Sequence, residues 1–558
     1  MHMTVFVVLV CFVLYWLGYR YYALRMANRV FELDPEAKTP AHTKYDGFDY
    51  VPCRRYILFG HHYASIAGLS PMLGPAIAVI WGWVPALFWV VFGTILIGGV
   101  HDFTALVLSV RSGGQSIGKI TESVIGSRAK SLFHILIIFF ISLAMGVFVQ
   151  IVAQLFTADF YPETVLPSFS LIALALVMGA LLYKKGIKLL PMTLVAFTLS
   201  LGAIILGLKL PTPNLASDTW ATIMLAYAFV ASILPVWLLL QPRDYLNALL
   251  LYLGLALLFS GFFLLRPDFV APPLNLNPEG APPLFPFVFI VLACGAISGF
   301  HALVSSGTTA KQLDKETDAP FIGYGAMIGE SLLGLVAVMA CTAGFINAEA
   351  WQAHYASWNV AQGLGQSMNA FINGSALFLN QLGIPTALGS AFIALVAVSF
   401  ALTTLDSATR LLRYNLQEVS ETLGMPWLAG RYISSALAVV AIGLFAFFKI
   451  DGQSAGLALW ALFGTTNQLL GGLTLITVTL YLVIRRKNCL YTFIPMVFML
   501  ITTIAAMAAN IRTFYLKDQL LLFVIGVGLL VLAAWLVIEG TLRFLQIRKD
   551  LQQSEAAA

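Results

Sequence analysis

The sequence has few charged residues. Only 10% of its 558 residues are Asp, Glu, Lys or Arg, whereas a typical soluble domain carries about 25%. So few charges do not cover a water-facing surface, but a lipid-facing surface needs almost none. Because 59% of the residues are hydrophobic and the mean hydropathy is +0.87, we predict an all-α polytopic membrane protein.

The chain is also poor in cysteine and lacks the short motifs of ATP-driven pumps and of HExxH zinc proteases. Its five scattered cysteines suggest neither a disulfide framework nor a cysteine-based metal site. No Walker A or HExxH sequence is present. ATP-driven pumping is therefore excluded, and we predict a transporter that is not an enzyme and uses no metal or cofactor.

Apolar runs of about 20 residues, the length that a helix needs to cross a bilayer, recur along the whole chain. They consume most of it, so no independent soluble domain is predicted. About fifteen transmembrane helices, numbered here as spans 1 to 15, are predicted at residues 3–22, 56–83, 85–110, 132–156, 168–183, 190–208, 219–241, 246–265, 284–305, 321–345, 385–409, 432–448, 455–484, 490–508 and 520–542.

The distribution of basic residues predicts the orientation. If span 1 runs from outside to inside, only five of the 31 Lys and Arg residues lie outside: Lys209, Arg266, Lys449, Arg512 and Lys517. By the positive-inside rule the N-terminus is then outside and the C-terminus is cytoplasmic. Because the basic residues follow the inner ends of the spans, the net charge of +5 does not indicate nucleic acid as a partner.

Spans 2 to 6 and spans 7 to 11 form two blocks of opposite polarity. Inverted repeats of this type recur in secondary transporters, where the substrate site lies between discontinuous helices. We predict an N-terminal region at 1–55, a first repeat at 56–210, a second repeat at 211–413 and peripheral spans at 414–558. The polar segment 346–384 is predicted to be a lid or an interfacial helix.

The first span of each repeat is predicted to be discontinuous. Span 2 contains several glycines and prolines between Gly60 and Pro75, and lipid tolerates a broken helix only beside a polar cavity. Its second half would direct the unpaired N–H groups of residues 69–74 toward the membrane centre, where they suit a carboxylate. In span 7, Pro235 gives a weaker signal of the same kind. The predicted substrate-binding residues are His61, His62, Ser65, Gly68, Leu69, Ser70, Gly74 and Ser232.

A second set of polar residues is predicted to carry the coupling ion. Ionisable residues inside membranes are usually functional, and histidine changes its charge near physiological pH. Hydroxyl groups beside a broken helix favour sodium, whereas histidines and carboxylates favour protons. The predicted coupling residues are His101 and Asp102 in span 3, Ser298, His301, Ser305 and Ser306 in span 9, Glu330 in span 10 and Asp406 in span 11.

Each of these residues also has a purely structural interpretation. The glycines and prolines of span 2 would then permit close helix packing, the histidines would only pack, and the hydroxyls of span 9 would cap a helix. Asp406 precedes Arg410 by four residues, the spacing of a helical ion pair, which favours a structural or gating role. Glu330 has no such partner and is the better candidate for a proton carrier.

Several segments resemble the carbon starvation protein A (CstA) family of bacterial inner-membrane transporters. The resemblance runs from span 1 to about residue 480. It is carried in order by TPAHTKYDGFDYVPCRRYILFGHHYASIAGLSPMLGPAIA, GGVHDF, ISGFHALVSSGTT, GYGAMIGES, ALTTLDSATRLLRY and LFGTTNQLL. Better-known members are considerably longer and have further spans, so this chain departs from them in its later spans.

The resemblance implies a fold similar to that of the amino acid–polyamine–organocation superfamily, a LeuT-like five-plus-five inverted repeat with peripheral helices. It also implies uptake of peptides or pyruvate during carbon starvation, with proton coupling favoured and sodium coupling possible. The expected partners are the lipid bilayer, the substrate and the coupling ion. The competing functions are a membrane enzyme or haem protein that uses the buried histidines as ligands, and a channel or nutrient sensor.

Overall fold

A computed structural model describes residues 2–450 and 453–557. This part of the chain is almost entirely helical. Its principal helices are α1 (Met3–Phe31), α2 (Arg55–Ala67), α3 (Ser70–Ala78), α4 (Trp83–Arg111), α5 (Ser127–Leu155), α6 (Val165–Lys185), α7 (Leu189–Gly207), α8 (Ser217–Ile233), α9 (Leu240–Leu265), α10 (Leu284–Val291), α11 (Ala293–Ala296), α12 (Gly299–Gly307), α13 (Gly325–Ala343), α14 (Thr386–Thr422), α15 (Arg431–Phe447), α16 (Trp460–Ile484), α17 (Leu490–Leu516) and α18 (Leu520–Ala557).

Eleven helices in the described residues are long and apolar enough to cross a membrane, or twelve if the bent pair α2 and α3 forms one span. Three of the fifteen predicted spans lie outside this count. Two of them, α8 and α15, are helices of 17 residues. The third is divided into α10, α11 and α12. The chain is therefore a multi-pass membrane protein.

The predicted break in span 2 is confirmed. Helices α2 and α3 are bent by 43° with respect to each other at Gly68 and Leu69. Gly68 has φ +54° and ψ −147°, a conformation that is essentially restricted to glycine. Pro71 lies in the first turn of α3, where its missing N–H group costs no helical hydrogen bond.

The predicted break inside span 7 is wrong. Helix α8 ends at Ile233, and Leu234 is extended because a residue before proline avoids the helical conformation. The chain then turns and begins α9 at Leu240, so Pro235 ends a helix instead of dividing one. The second interrupted span is span 9, in which Ile297 and Ser298 are extended between α11 and α12.

Helices α5 and α14 form the centre of the bundle. In their most apolar windows, 83% and 89% of the residues are buried, compared with 28% in α1 and 22% in α18. Helix α5 packs against α14, α8, α15 and α16, and α14 packs against α9. The outer helices α1, α7 and α18 therefore present most of their apolar surface to lipid.

Two short segments cover the ends of the bundle. Residues 346–384 form the helices Ala348–His354, Trp358–Ala361 and Leu364–Asn380 instead of a span, and Tyr355 donates a hydrogen bond to the Ala76 carbonyl at the end of α3. Near the other end of α2 lies the loop 34–54, and we call this side of the molecule the loop face. After α15, the strands β1 (Lys449–Ile450) and β2 (Gln453–Ser454) pair antiparallel.

Candidate substrate and coupling site

A small cavity lies at the break between α2 and α3. It leaves about 20 Å³ for the centre of a water molecule, and one water needs roughly 10–15 Å³ on this measure. The structure is therefore closed around a space too small for a peptide or an organic acid. The cavity is lined by Ile66, Ala67, Gly68, Ser70, Phe140, Ala144, Met145, Phe148, Ser298, Phe300, Thr404 and Phe463.

Two helix N-termini meet at this cavity. Helix α3 begins at Ser70, and among the described residues the amides of Gly68, Leu69 and Ser70 donate no hydrogen bond. Helix α12 begins next to Ser298, whose hydroxyl accepts from the Phe300 amide. Because helix N-termini carry a partial positive charge and free N–H groups, this geometry suits a carboxylate.

The structure separates the predicted substrate-binding residues into two groups. Gly68 and Ser70 line the cavity. Ser65 lies directly behind it, because its hydroxyl is 2.8 Å from the Ser407 hydroxyl and its carbonyl accepts from Thr404. Leu69 is fully buried at the N-terminus of α3.

The second group lies outside the cavity lining. Gly74 packs against α10, where a Cβ atom would come within 2.7 Å of the Val291 carbonyl oxygen. Its role here is close helix packing. Ser232 donates to the Phe229 carbonyl within α8, and the histidines of α2 contact polar side chains away from the cavity.

His61 belongs to a hydrogen-bonded network toward α9. Its Nδ1 atom is 2.5 Å from Oδ2 of Asp244, and its Nε2 atom is 3.2 Å from the side-chain nitrogen of Gln312. Gln241 donates to Gln312 and accepts from Tyr183. His61 and Asp244 are both buried, so this chain of polar groups runs through the protein interior.

His62 belongs to a different network toward α4. Its Nε2 atom is 2.7 Å from Oδ2 of Asp102, and its Nδ1 atom is 2.8 Å from the Thr309 hydroxyl. The Ser305 hydroxyl donates to the other carboxylate oxygen of Asp102. Two neighbouring residues of one helix therefore pair with carboxylates on different helices, in agreement with the rotation of about 100° between consecutive helical residues.

Three ionisable side chains near this network are buried without a hydrogen bond to another described side chain. They are His101, His301 and Glu330. Nε2 of His301 is 3.4 Å from Oε2 of Glu330, close enough for an ion pair if the imidazole is protonated. Unsatisfied ionisable groups inside a membrane are costly when charged.

Asp406 does not pair with Arg410, and this part of the sequence interpretation is wrong. Asp406 accepts hydrogen bonds from Arg243 of α9 and, at 2.5 Å, from Tyr227 of α8. Arg410 instead reaches Asp49 at 2.8 Å and the Leu234 carbonyl. The helical spacing permitted the pair, but longer-range partners engage both side chains.

Asp49 connects the loop 34–54 to α14 at the loop face. Its carboxylate accepts from Arg410 and, at 3.2 Å, from Arg413. Burial raises the pKa of the Asp49 carboxyl, but Arg410, Arg413 and Lys311 outweigh burial and hold that pKa well below its usual range. The same loop is fixed by backbone bonds between Val236 and Phe48 and between Cys53 and Gln312.

The remaining hydroxyls of span 9 have protein partners. Ser298 donates to Asn467 of α16 at 2.8 Å. Ser306 donates to the Ala302 carbonyl and accepts from the Ile117 amide. Among the described residues, no group of three or more His, Cys, Asp or Glu side chains is arranged to hold a metal ion.

Sequence reasoning missed the residues that complete these networks. Arg243 and Asp244 stand in QPRDY at the start of α9, and a charged dipeptide at the end of an apolar run was a usable signal. Tyr227 and Thr404 carried no signal, because a single hydroxyl in a hydrophobic helix is common. Only the fold places them beside Asp406 and Gly68.

The interrupted helices and the buried polar networks at their ends define a membrane transporter. Its fold is similar to that of the manganese transporter of Eremococcus coleocola, with a TM-score of 0.54 and 12% sequence identity over 90% of this chain and 99% of that one. A profile of the family described as carbon starvation protein CstA matches residues 3–364 and 343–506. The chain belongs to this family of inner-membrane transporters.

Two relatives illustrate the range of the family. The peptide transporter CstA of Campylobacter jejuni is 32% identical over 90% of this chain and 79% of its own length. The pyruvate/proton symporter BtsT of Escherichia coli is 34% identical over 89% of this chain and 80% of its own length. The resemblance seen in the sequence motifs is thereby confirmed.

Proposed function

We propose that the protein is a secondary active symporter that imports a small carboxylate-bearing nutrient, a peptide or pyruvate, during carbon starvation. The observation that carries this proposal is the cavity at Gly68, where free amides of α3 and the N-terminus of α12 meet. The relatives are named for peptide and for pyruvate/proton transport, and carboxylates are common to both substrates.

We propose proton coupling through the cluster of His62, Asp102, His301 and Glu330. Two carboxylates and two imidazoles lie together within the membrane, and Glu330 and His301 have no hydrogen bond to another described side chain. A group that gains and loses a proton during transport needs such freedom. Sodium coupling is less well supported, because the hydroxyls of Ser298 and Ser306 are engaged by protein partners.

We also propose a five-plus-five inverted repeat, but with units that differ from the consecutive blocks 56–210 and 211–413 predicted from the sequence. The first unit would be α2–α3, α4, α5, α8 and α9, and the second α10–α12, α13, α14, α15 and α16. Packing supports this pairing: α3 contacts α13 as α12 contacts α4, and α2 contacts α9 as α10 and α11 contact α16. Helices α6 and α7 are then an insertion, and all fifteen predicted spans cross the membrane.

In this proposal the loop face is cytoplasmic and the N-terminus is outside, as the basic residues predict. Alternating access would then open the cavity by moving the loop 34–54 or the segment 346–384. Both cover the ends of the interrupted helices in the closed structure.

Uptake into proteoliposomes tests the function. Labelled pyruvate and alanylalanine are supplied with an imposed pH gradient, an imposed sodium gradient or neither. Proton-driven accumulation of one of them is expected, and liposomes without protein are the control. Binding without accumulation under every gradient would contradict symport and favour a sensor.

A further inference from the structure

A second and larger pocket opens at the loop face. It leaves about 170 Å³ for the centres of water molecules, well above the roughly 10–15 Å³ that one water needs. It is thus large enough for a small organic acid. The loop 34–54 contributes Lys44 and Tyr50 to the wall, and α14 contributes Tyr414 and Glu418.

The ammonium group of Lys311 lies in this pocket. Lys311 is only 9% exposed, and its ammonium group forms no hydrogen bond to any described residue. Its Nζ atom lies 3.6 Å from the centre of the Tyr414 ring and 5.3 Å from that of Tyr50. A ring face attracts a cation but does not replace the hydrogen bonds that the ammonium lost on burial.

The carboxylates around Lys311 are already engaged. Asp49 is held by Arg410 and Arg413. Glu418 accepts from the Ser116 hydroxyl at 2.7 Å and lies 3.3 Å from His134. The pocket therefore contains an ammonium group, on a largely buried side chain, that no hydrogen bond to a described residue engages.

Helix α12 connects this pocket with the central cavity. Ser298 and Phe300 line the cavity, and Leu303 and Ser306 line the pocket. At 1.5 Å per residue, the two places are roughly 10 Å apart along one helix. A nutrient that leaves the cavity toward the loop face would reach Lys311 next.

We propose that Lys311 anchors the carboxylate of a small organic acid in this pocket, as a second binding site on the loop-face side of the closed cavity. This inference rests on the proposed function for the identity of the acid. Lys44 and Lys119 add positive charge to the wall, and Leu303 and Leu411 provide apolar surface for a short carbon chain. The probe of choice is therefore pyruvate, with neutral methyl pyruvate as the comparison.

Titration calorimetry on the purified full-length protein tests the site. Lys311→Met is expected to weaken pyruvate binding by about tenfold or more, since it removes a charged hydrogen-bond donor. Lys311→Arg should retain binding, and Lys315→Met, at an exposed lysine four residues further on, should bind like the unaltered protein. Binding of methyl pyruvate should be weak in all of them.

A central-cavity variant, Gly68→Ala, separates the two sites. Binding that survives in Gly68→Ala and is lost in Lys311→Met supports the pocket, even if no variant transports and symport therefore fails. Binding lost in Gly68→Ala and unchanged in Lys311→Met overturns the proposal, as does an absence of pyruvate binding. If Lys311→Met does not fold, pyruvate should still slow acetylation of Lys311 in the unaltered protein, and equal rates would overturn the proposal.

Discussion

Arg243 of α9 donates a hydrogen bond to the carboxylate of Asp406 on α14, and each side chain is 1% exposed. Tyr227 of α8 joins them, with its hydroxyl 2.6 Å from Arg243 and 2.5 Å from Asp406. Three membrane helices are therefore connected by one buried pair of charges. In hydrocarbon, either charge alone is far more costly than the two together.

The first prediction concerns this pair. Asp406→Leu or Arg243→Met alone should lower the free energy of unfolding by roughly 3–5 kcal/mol, because each leaves a buried charge without its partner. The double variant should lose less than either single variant. Unfolding in detergent with increasing denaturant measures the difference. If the double variant loses as much free energy of unfolding as the two single variants added together, the two charges do not interact.

The second prediction concerns the break. Gly68→Ala should sharply reduce uptake, because a Cβ atom would lie 3.0 Å from the Thr404 hydroxyl and the backbone would be strained by roughly 1–3 kcal/mol. The control is Gly202→Ala in α7, where a Cβ atom would have no neighbour within 4 Å in the described part of the chain, apart from its own helix backbone and adjacent residues. Uptake in proteoliposomes is the measurement. Equal uptake by both variants would show that transport does not depend on the backbone conformation of Gly68.

A third test addresses proton coupling. Glu330→Gln imitates the protonated carboxyl, so it should abolish proton-driven accumulation while leaving exchange of internal for external substrate. Proton entry is followed with a pH-sensitive dye inside the liposomes. Glu421→Gln, at an exposed position near the end of α14, is the control and should couple normally. If Glu330→Gln accumulates substrate at the normal rate, a residue other than Glu330 carries the coupled proton.

Closure of the loop face gives the fourth prediction. Asp49→Asn removes the carboxylate that holds Arg410 and Arg413, so the loop 34–54 should open more often. Cys53 in this loop is 2% exposed and should react several-fold faster with a hydrophilic maleimide. Labelling of Asp49→Asn with the further change Cys53→Ser gives the background. Unchanged labelling of Cys53 would mean that other contacts close the face.

Carboxylate binding at Lys311 should depend on pH. Burial lowers the pKa of Lys311 to about 8, against the opposing effect of Asp49 and Glu418. Because only the protonated amine attracts an anion, affinity should be full below pH 8 and fall by about tenfold per pH unit well above it.

Calorimetry between pH 6 and 10 measures this profile, with Lys311→Arg as the control that should stay flat. The other charged or titratable groups facing the pocket are Lys44, Tyr50, Lys119, His134, Arg410, Arg413 and Tyr414. Burial raises the pKa of Tyr50 to about 12, so its hydroxyl stays neutral over this range. A profile that is the same in both proteins would assign the titration to a different group.

The sequence was sufficient for the features that depend on local chemistry. Glycine and proline in the middle of an apolar run predicted the interruption at Gly68, because neither residue supports a helix in lipid. The same reasoning failed at Pro235, since a proline ends a helix as readily as it divides one. The interruption at Ile297, where the backbone is extended between α11 and α12, was not predicted. The sequence ACGAIS at this point contains no proline and only one glycine, so it gives a weak signal of a break.

Pairings between distant helices could not be predicted in this way. The local rule joined Asp406 to Arg410, yet the fold brings Arg243 to Asp406 and Asp49 to Arg410 over separations of more than 150 residues. Periodicity says which residues share a helix face and nothing about which helix lies opposite. The candidates in the site were therefore easier to name than their partners.

The neighbouring histidines of α2 have one further consequence. His61 holds Asp244 and His62 holds Asp102, and a short helix rotates as a rigid unit. Rotation of α2 therefore stretches both contacts in a single step, and releasing only one leaves the helix in place. We expect an all-or-none transition, in which the inward and outward shapes exchange without a half-opened intermediate.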